Sequence, residues 1–179
     1  CEVFDVLKRI RDKKKVVAMV APAVLAQFGK PMEHVYGALK DIGFDDIIEV
    51  AYGAEETIRR EAEELKEKIE EGQPFMTTSC CPAYVNLAKK HIPDLVKYVS
   101  STGSPMHYTA IYAKEKFGKE CVTVFIAPCA SKKAEGFNDK NVDFVLTFRE
   151  IDAILEGLGI DIESTIETYG LALRPEEED

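Results

Sequence analysis

The sequence predicts an α/β fold: an open, mostly parallel sheet of about four to five strands with helices on both faces. Three observations carry this. Short continuous apolar runs end at Pro, Gly or Cys, amphipathic stretches of helical length separate them, and no internal repeat or low-complexity linker divides the chain. Strands alternating with helices need crossover connections, which make neighbouring strands parallel and cover both faces of the sheet.

Residues 3–13 place Val3, Val6, Leu7 and Ile10 at helical spacing, and the Lys/Arg cluster that follows suits a helix C-terminus. The run 16–21 reads as a buried strand stopped at Pro22. Residues 31–42 return to the 3.6 period and end near Gly43; 47–51 is the second strand, closed by Gly53. Over 54–71, Ala54, Ile58, Ala62, Leu65 and Ile69 share one stripe, which predicts a core-facing helix. Glu61 flanks that stripe and Glu64 lies further round toward solvent. Taken alone, both read as solvated surface carboxylates.

Residues 75–79 are the third expected strand. A helix over 83–90 begins just after Pro82, and another over 105–117 opens at Ser104 and Pro105 and closes at Gly118. The runs 122–127 and 144–147 are the fourth and fifth strands, and a helix over 149–158 ends at Gly159. The acidic tail 175–179 is expected to fray.

A chain of 179 residues, 46% hydrophobic, is long enough for a single domain over 1–179 with a sizeable core. Its net charge of -9 argues against nucleic acid or an anionic membrane as the main partner, because phosphate binding needs a basic surface. No apolar stretch has the length of a membrane span and no cleavable signal pattern opens the chain, so a cytoplasmic protein is expected. Five cysteines, odd in number and irregularly spaced, do not resemble a secreted disulfide framework. They point to metal binding or redox chemistry in a reducing compartment. The chain opens on Cys1 and is expected to be a piece of something longer.

The chemistry gathers at two turns. Thr78, Ser79, Cys80, Cys81 and Pro82 follow one apolar run; Pro128, Cys129, Lys132 and Glu135 follow another. Thiols at the carboxyl ends of strands in an open α/β sheet sit where such folds place ligands. With a cation nearby, a thiolate there is a soft-metal ligand or a nucleophile; otherwise it is an ordinary core cysteine. Adjacent cysteines cannot easily serve one iron together, so Cys80 and Cys81 have different jobs. A cubane iron-sulfur cluster takes four thiolates. Cys81 and Cys129 are well placed for it, whereas Cys121 reads as a packed strand residue, so the site is incomplete or completed from elsewhere.

These two motifs together resemble the first and second signatures of the iron-only, or [FeFe], hydrogenase catalytic domain, and the likeness runs from about Val16 to about Leu158. The resemblance implies a 4Fe-4S cubane joined through a cysteine to a diiron unit carrying CO and cyanide, together the H-cluster, which reduces protons or oxidises hydrogen. It implies Cys81 and Cys129 as cubane ligands and Cys80 as the thiol passing protons to the diiron site. Lys132 matches the lysine whose ammonium holds a cyanide ligand, Glu135 a carboxylate near it, and Ala21, Pro22 and Ala23 the loop lining the diiron pocket. Glu61, Ser100 and Glu64 match a proton path to the surface. A ferredoxin-like electron-transfer domain or protein is the implied partner.

There are departures. The third signature, with two further cysteines, is not met before Asp179, so the isolated chain is expected to lack the diiron unit and to be inactive. Ala127 stands where a methionine is usual, Met106 where a glutamine is frequent, and Tyr84 where a tryptophan is common. The first two remove side chains expected around the diiron ligands, which suits a divergent branch such as hydrogen-sensing relatives of low turnover. Non-catalytic iron-sulfur assembly proteins share the fold but usually lose the thiol that matches Cys80.

Overall fold

The computed structural model describes residues 2–165, so the expectation for the tail 175–179 lies outside the described residues. Four strands, β1 (Val16–Val20), β2 (Asp46–Glu49), β3 (Val122–Ala127) and β4 (Phe144–Thr147), form one sheet in the order β2-β1-β3-β4. Every pairing is parallel, with Ala18 opposite Ile47 on one side and Val124 on the other. The helices are α1 (Glu2–Arg11), α2 (Val24–Phe28), α3 (Met32–Ile42), α4 (Ala51–Glu70), α5 (Pro82–His91), α6 (Pro105–Phe117), α7 (Ser131–Phe137) and α8 (Phe148–Leu158), with a 3-10 segment at Pro93–Tyr98.

β1 and β3 are buried along their whole length, as strands covered on both faces must be. Successive side chains go to opposite cores. Val16, Ala18 and Val20 join Val124 and Ile126 against Val6 of α1, Leu39 of α3 and Ile151 of α8. Val17 and Met19 join Phe125 and Ala127 against Met106, Ala110 and Ala113 of α6. α8 starts on a capping box, in which Thr147 Oγ1 accepts from the Glu150 N–H while the Glu150 carboxylate accepts from the Thr147 N–H.

Two expectations are corrected. The 75–79 run is not a strand of the sheet. Among the described residues, its ladder is a single parallel bridge, Thr77 to Val99, in which the Thr77 N–H donates to the Tyr98 carbonyl and the Ser100 N–H to that of Thr77. After Phe75 and Met76 the run turns to Thr77, Thr78 and Ser79, too polar for burial on both faces of a parallel sheet.

The apolar stripe of α4 does not face the core either: Ile58 is 66% and Ile69 56% exposed. α4 packs on α6, through a face one residue round, where Gly53 and Thr57 are buried. A Cβ at Gly53 would lie 2.2 Å from the Pro105 carbonyl oxygen, so the helices meet backbone to backbone. That rotation turns Glu61 and Glu64 inward.

Candidate metal centre at the cysteine turns

β1 leads through α2 and α3 to β2 on one side of the sheet, whereas β3 leads through α7 to β4 on the other. Where connections diverge, a crevice opens at the carboxyl ends of the two central strands, the usual ligand position in open α/β sheets. Ala21, Pro22 and Ala23 follow β1 on one side of it, and Pro128 and Cys129 follow β3 on the other. The Ala21 N–H donates to the Ile126 carbonyl at 3.0 Å, carrying the β1–β3 ladder into the first of these turns.

The Cys80–Cys81 turn is held to the first turn of α7, which follows the end of β3. Cys81 precedes α5, with Pro82 at the first helical position, and its carbonyl accepts from the Val85 N–H. Tyr84 Oη donates to Thr77 Oγ1 at 2.9 Å, fastening α5 over the bridge. Lys132, on the first turn of α7, sends its ammonium to the Cys80 carbonyl at 3.0 Å and to Glu135 Oε2 at 2.7 Å. Its side chain is only 12% exposed. One partly buried cation thus staples the two cysteine turns together. Among the described residues, its third N–H has no protein acceptor, leaving a charge-assisted donor for an anionic ligand.

Cys80 and Cys129 are half-buried and Cys81 is exposed. Cys121 lies in the core, where burial pushes its thiol up despite nearby Lys114, and its Sγ donates to the Ala113 carbonyl. Met106 and Ala127 are also fully packed, in the same core.

The carboxylates of α4 meet the turn from below. Glu61 Oε1 accepts from Thr78 Oγ1 at 2.7 Å and from the Ser79 N–H at 3.2 Å. Glu64 accepts from Ser100 Oγ at 2.5 Å, from the Ser101 N–H and Oγ at 2.9 and 3.0 Å, and from Thr102 Oγ1 at 3.1 Å. Burial raises the Glu64 carboxyl, but these donors outweigh it and hold it below the ordinary carboxylate value. The structure therefore joins Ser100 to Glu64 and Lys132 to Glu135. Among the described residues, Glu61 makes no hydrogen bond to Ser100 or to the Cys80 thiol. Ser79 bridges part of that gap, donating through Oγ to the Thr102 carbonyl at 2.5 Å.

Ser101 and Thr102 were not singled out by the sequence reading, and Ser79 stood there only as part of the cysteine motif, with no role of its own. The signal lay in the hydroxyl-rich run 100–104 between two helices. A cavity of about 510 Å³ opens beside this network, with Pro82, Val85, Ser100 and Glu135 in its wall.

Residues 14–174 match the family model described as the C-terminal domain of the iron-only hydrogenase large subunit. The chain belongs to this family. It is 33% identical to iron hydrogenase 1 of Clostridium pasteurianum over 80% of its own length and 29% of that protein's. The apo [FeFe]-hydrogenase of Chlamydomonas reinhardtii superposes with a TM-score of 0.83 at 30% identity, over 97% of this chain and 51% of that one. A cytosolic Fe-S cluster assembly factor of Kluyveromyces lactis is 30% identical over 69% of this chain and 27% of its own. The hydrogenase-family chain thus spans about a third of the curated relatives and half of the solved structure. No helix among its described residues is long and apolar enough to cross a membrane.

Proposed function

We propose that this chain forms part of the catalytic site of an iron-only hydrogenase, which interconverts protons and hydrogen with electrons from a ferredoxin-like domain or protein. The observation that carries the reading is the Lys132 staple: an ammonium, partly buried at the switch point of the sheet, binds the turn bearing Cys80 and Cys81 from the helix that follows Cys129. Neutral side chains would hold those turns as well, so a partly buried cation with one donor left over after the Cys80 carbonyl and Glu135 argues for a bound anionic group.

The residues fit one half of an iron-sulfur site. Among the described residues there is no group of three or more His, Cys, Asp or Glu able to hold a metal. Two thiols on stapled turns supply two of the four thiolates a cubane takes. Cys81 and Cys129 would hold the 4Fe-4S cluster, with the backbone of Ala21, Pro22 and Ala23 lining the diiron pocket. When bound, this cofactor supplies the redox chemistry that joins electrons to protons. Cys80 gives and takes protons at its Sγ. Glu61, Ser100 and Glu64 would carry them toward the surface, with the Ser100–Glu64 step the one already hydrogen-bonded among the described residues, and Lys132, held by Glu135, would donate to an anionic ligand of the diiron unit.

The isolated chain is expected to purify without the diiron unit and to evolve no hydrogen from reduced viologen, even after maturation. In a parent chain that carries the remaining ligands, Cys80→Ser should leave the visible absorbance of the cluster intact and abolish turnover. Retained turnover would remove Cys80 from the proton path. The likeness to assembly factors supports a second, non-catalytic reading, in which the same replacement changes nothing that the protein does.

A further inference from the structure

The catalytic reading leaves unexplained how a carboxylate beside open water keeps hold of Lys132. Glu135 forms part of the wall of two cavities, one along α5 and one beside His107 and Asp139, so it can turn toward solvent on either side. What restrains it is Ser104, whose Oγ donates to Glu135 Oε1. With that oxygen occupied, Oε2 is left pointing at the Lys132 ammonium.

We propose that Ser104 is a positioning residue: through Glu135 it fixes the direction of the Lys132 ammonium at the cysteine turns. The assignment rests on the reading of Lys132 as the cation that faces the bound group, and adds to it the residue that aims that cation.

Ser104 is itself 5% exposed and firmly placed. It caps α6, and the Gly103 peptide before it is held at both ends: Thr57 Oγ1 donates to the Gly103 carbonyl at 3.2 Å, and the Gly103 N–H donates to Tyr108 Oη at 3.2 Å. The capping bond from the His107 N–H is long, at 3.5 Å, so the hydroxyl does more for Glu135 than for the helix. A serine hydroxyl can accept from one group while donating to another, so the two roles do not compete. Glu135 alone, at the i,i+3 position from Lys132 on a helix surface, would give a pair weak and mobile enough to lose its direction.

The test reads the ammonium directly, by the solvent exchange of lysine side-chain protons in proton–nitrogen spectra of the metal-free chain. Ser104→Gly removes the hydroxyl while keeping a residue tolerated at a helix N-cap, and Ser104→Thr keeps the hydroxyl. Lys133 is the internal reference, because Glu2, Glu150 and the Val145 carbonyl hold it by contacts that do not involve Ser104. We expect Lys132 exchange about tenfold faster in Ser104→Gly, near the parent rate in Ser104→Thr, and Lys133 unchanged in both. Unchanged Lys132 exchange in Ser104→Gly overturns the proposal, and so does equal acceleration at Lys133, which would mark general loosening. Should the glycine variant not fold, the unmutated chain decides: the Ser104 hydroxyl proton must be slow enough to observe and coupled to the Glu135 carboxylate, and exchange at the solvent rate refutes it. No cluster is needed, so failure here is distinct from failure of the hydrogenase reading.

Discussion

Truncating Glu64 to Ala tests the idea that α4 is fastened by its polar face. The carboxylate accepts from three consecutive residues, and Ser100, the most enclosed of them, is 5% exposed. Hydrogen bonds to a charged acceptor contribute about 1.5–3 kcal/mol each, but those sharing one carboxylate do not add, and water can reach the outer ones. A net loss of about 3 kcal/mol follows, or roughly 9 °C in melting temperature for a chain of this size. Urea unfolding of parent and variant across acidic and neutral pH measures it. The folded Glu64 carboxyl lies below its ordinary value of 4.5, so its stabilisation is complete above that pH and withdrawn as the pH falls through the folded value. The gap between the two proteins should therefore be full at neutral pH and shrink on acidification. A neutral-pH gap under about 0.5 kcal/mol, or one that does not change with pH, would refute the reasoning, since that is the range of ordinary surface substitutions.

Three other outcomes are expected. Gly53→Ala places a methyl 2.2 Å from the Pro105 carbonyl oxygen and 2.8 Å from the Thr109 nitrogen, so α4 must move off α6; a loss of about 3 kcal/mol in urea unfolding is predicted. Glu56→Gln should cost no more than about 0.5 kcal/mol by the same assay, because its ion pairs sit on the surface, even though bonds from Arg59 and Arg60 lower its carboxyl to about 2. In alkylation followed by mass spectrometry, among the cysteines of the described residues exposed Cys81 should react first and buried Cys121 only after denaturant is added.

Continuous apolar runs were enough for β1, β3 and β4, because such runs have no other use than burial in a sheet. Capping chemistry marked the start of α6 at Ser104 and the end of α8 at Gly159, whereas the Thr147 capping box became visible only in the structure. Shorter pieces escaped. α2, α7 and the 3-10 segment at Pro93–Tyr98 are single turns or little more, too brief for a 3.6 period to register. The 75–79 run showed a few strand-forming residues but not that the sheet is completed without it, since pairing is decided between distant segments.

By itself the sequence determined the class of fold, the two cysteine turns and the cation that accompanies the second, because local composition dictates a strand, a proline stop and a helix start. Only the tertiary structure decided which face of α4 turns inward. The apolar stripe at Ile58 and Ile69 lost to Thr57, Glu61 and Glu64, because the run 100–102 and the Thr78–Ser79 turn bring donors that water would otherwise have to satisfy. It also decided that Lys132 reaches the Cys80 carbonyl and that Ser104 reaches Glu135. Such contacts join residues far apart in the chain, and only the packing of α6 and α7 at the carboxyl ends of β1 and β3 gives them a common place to meet.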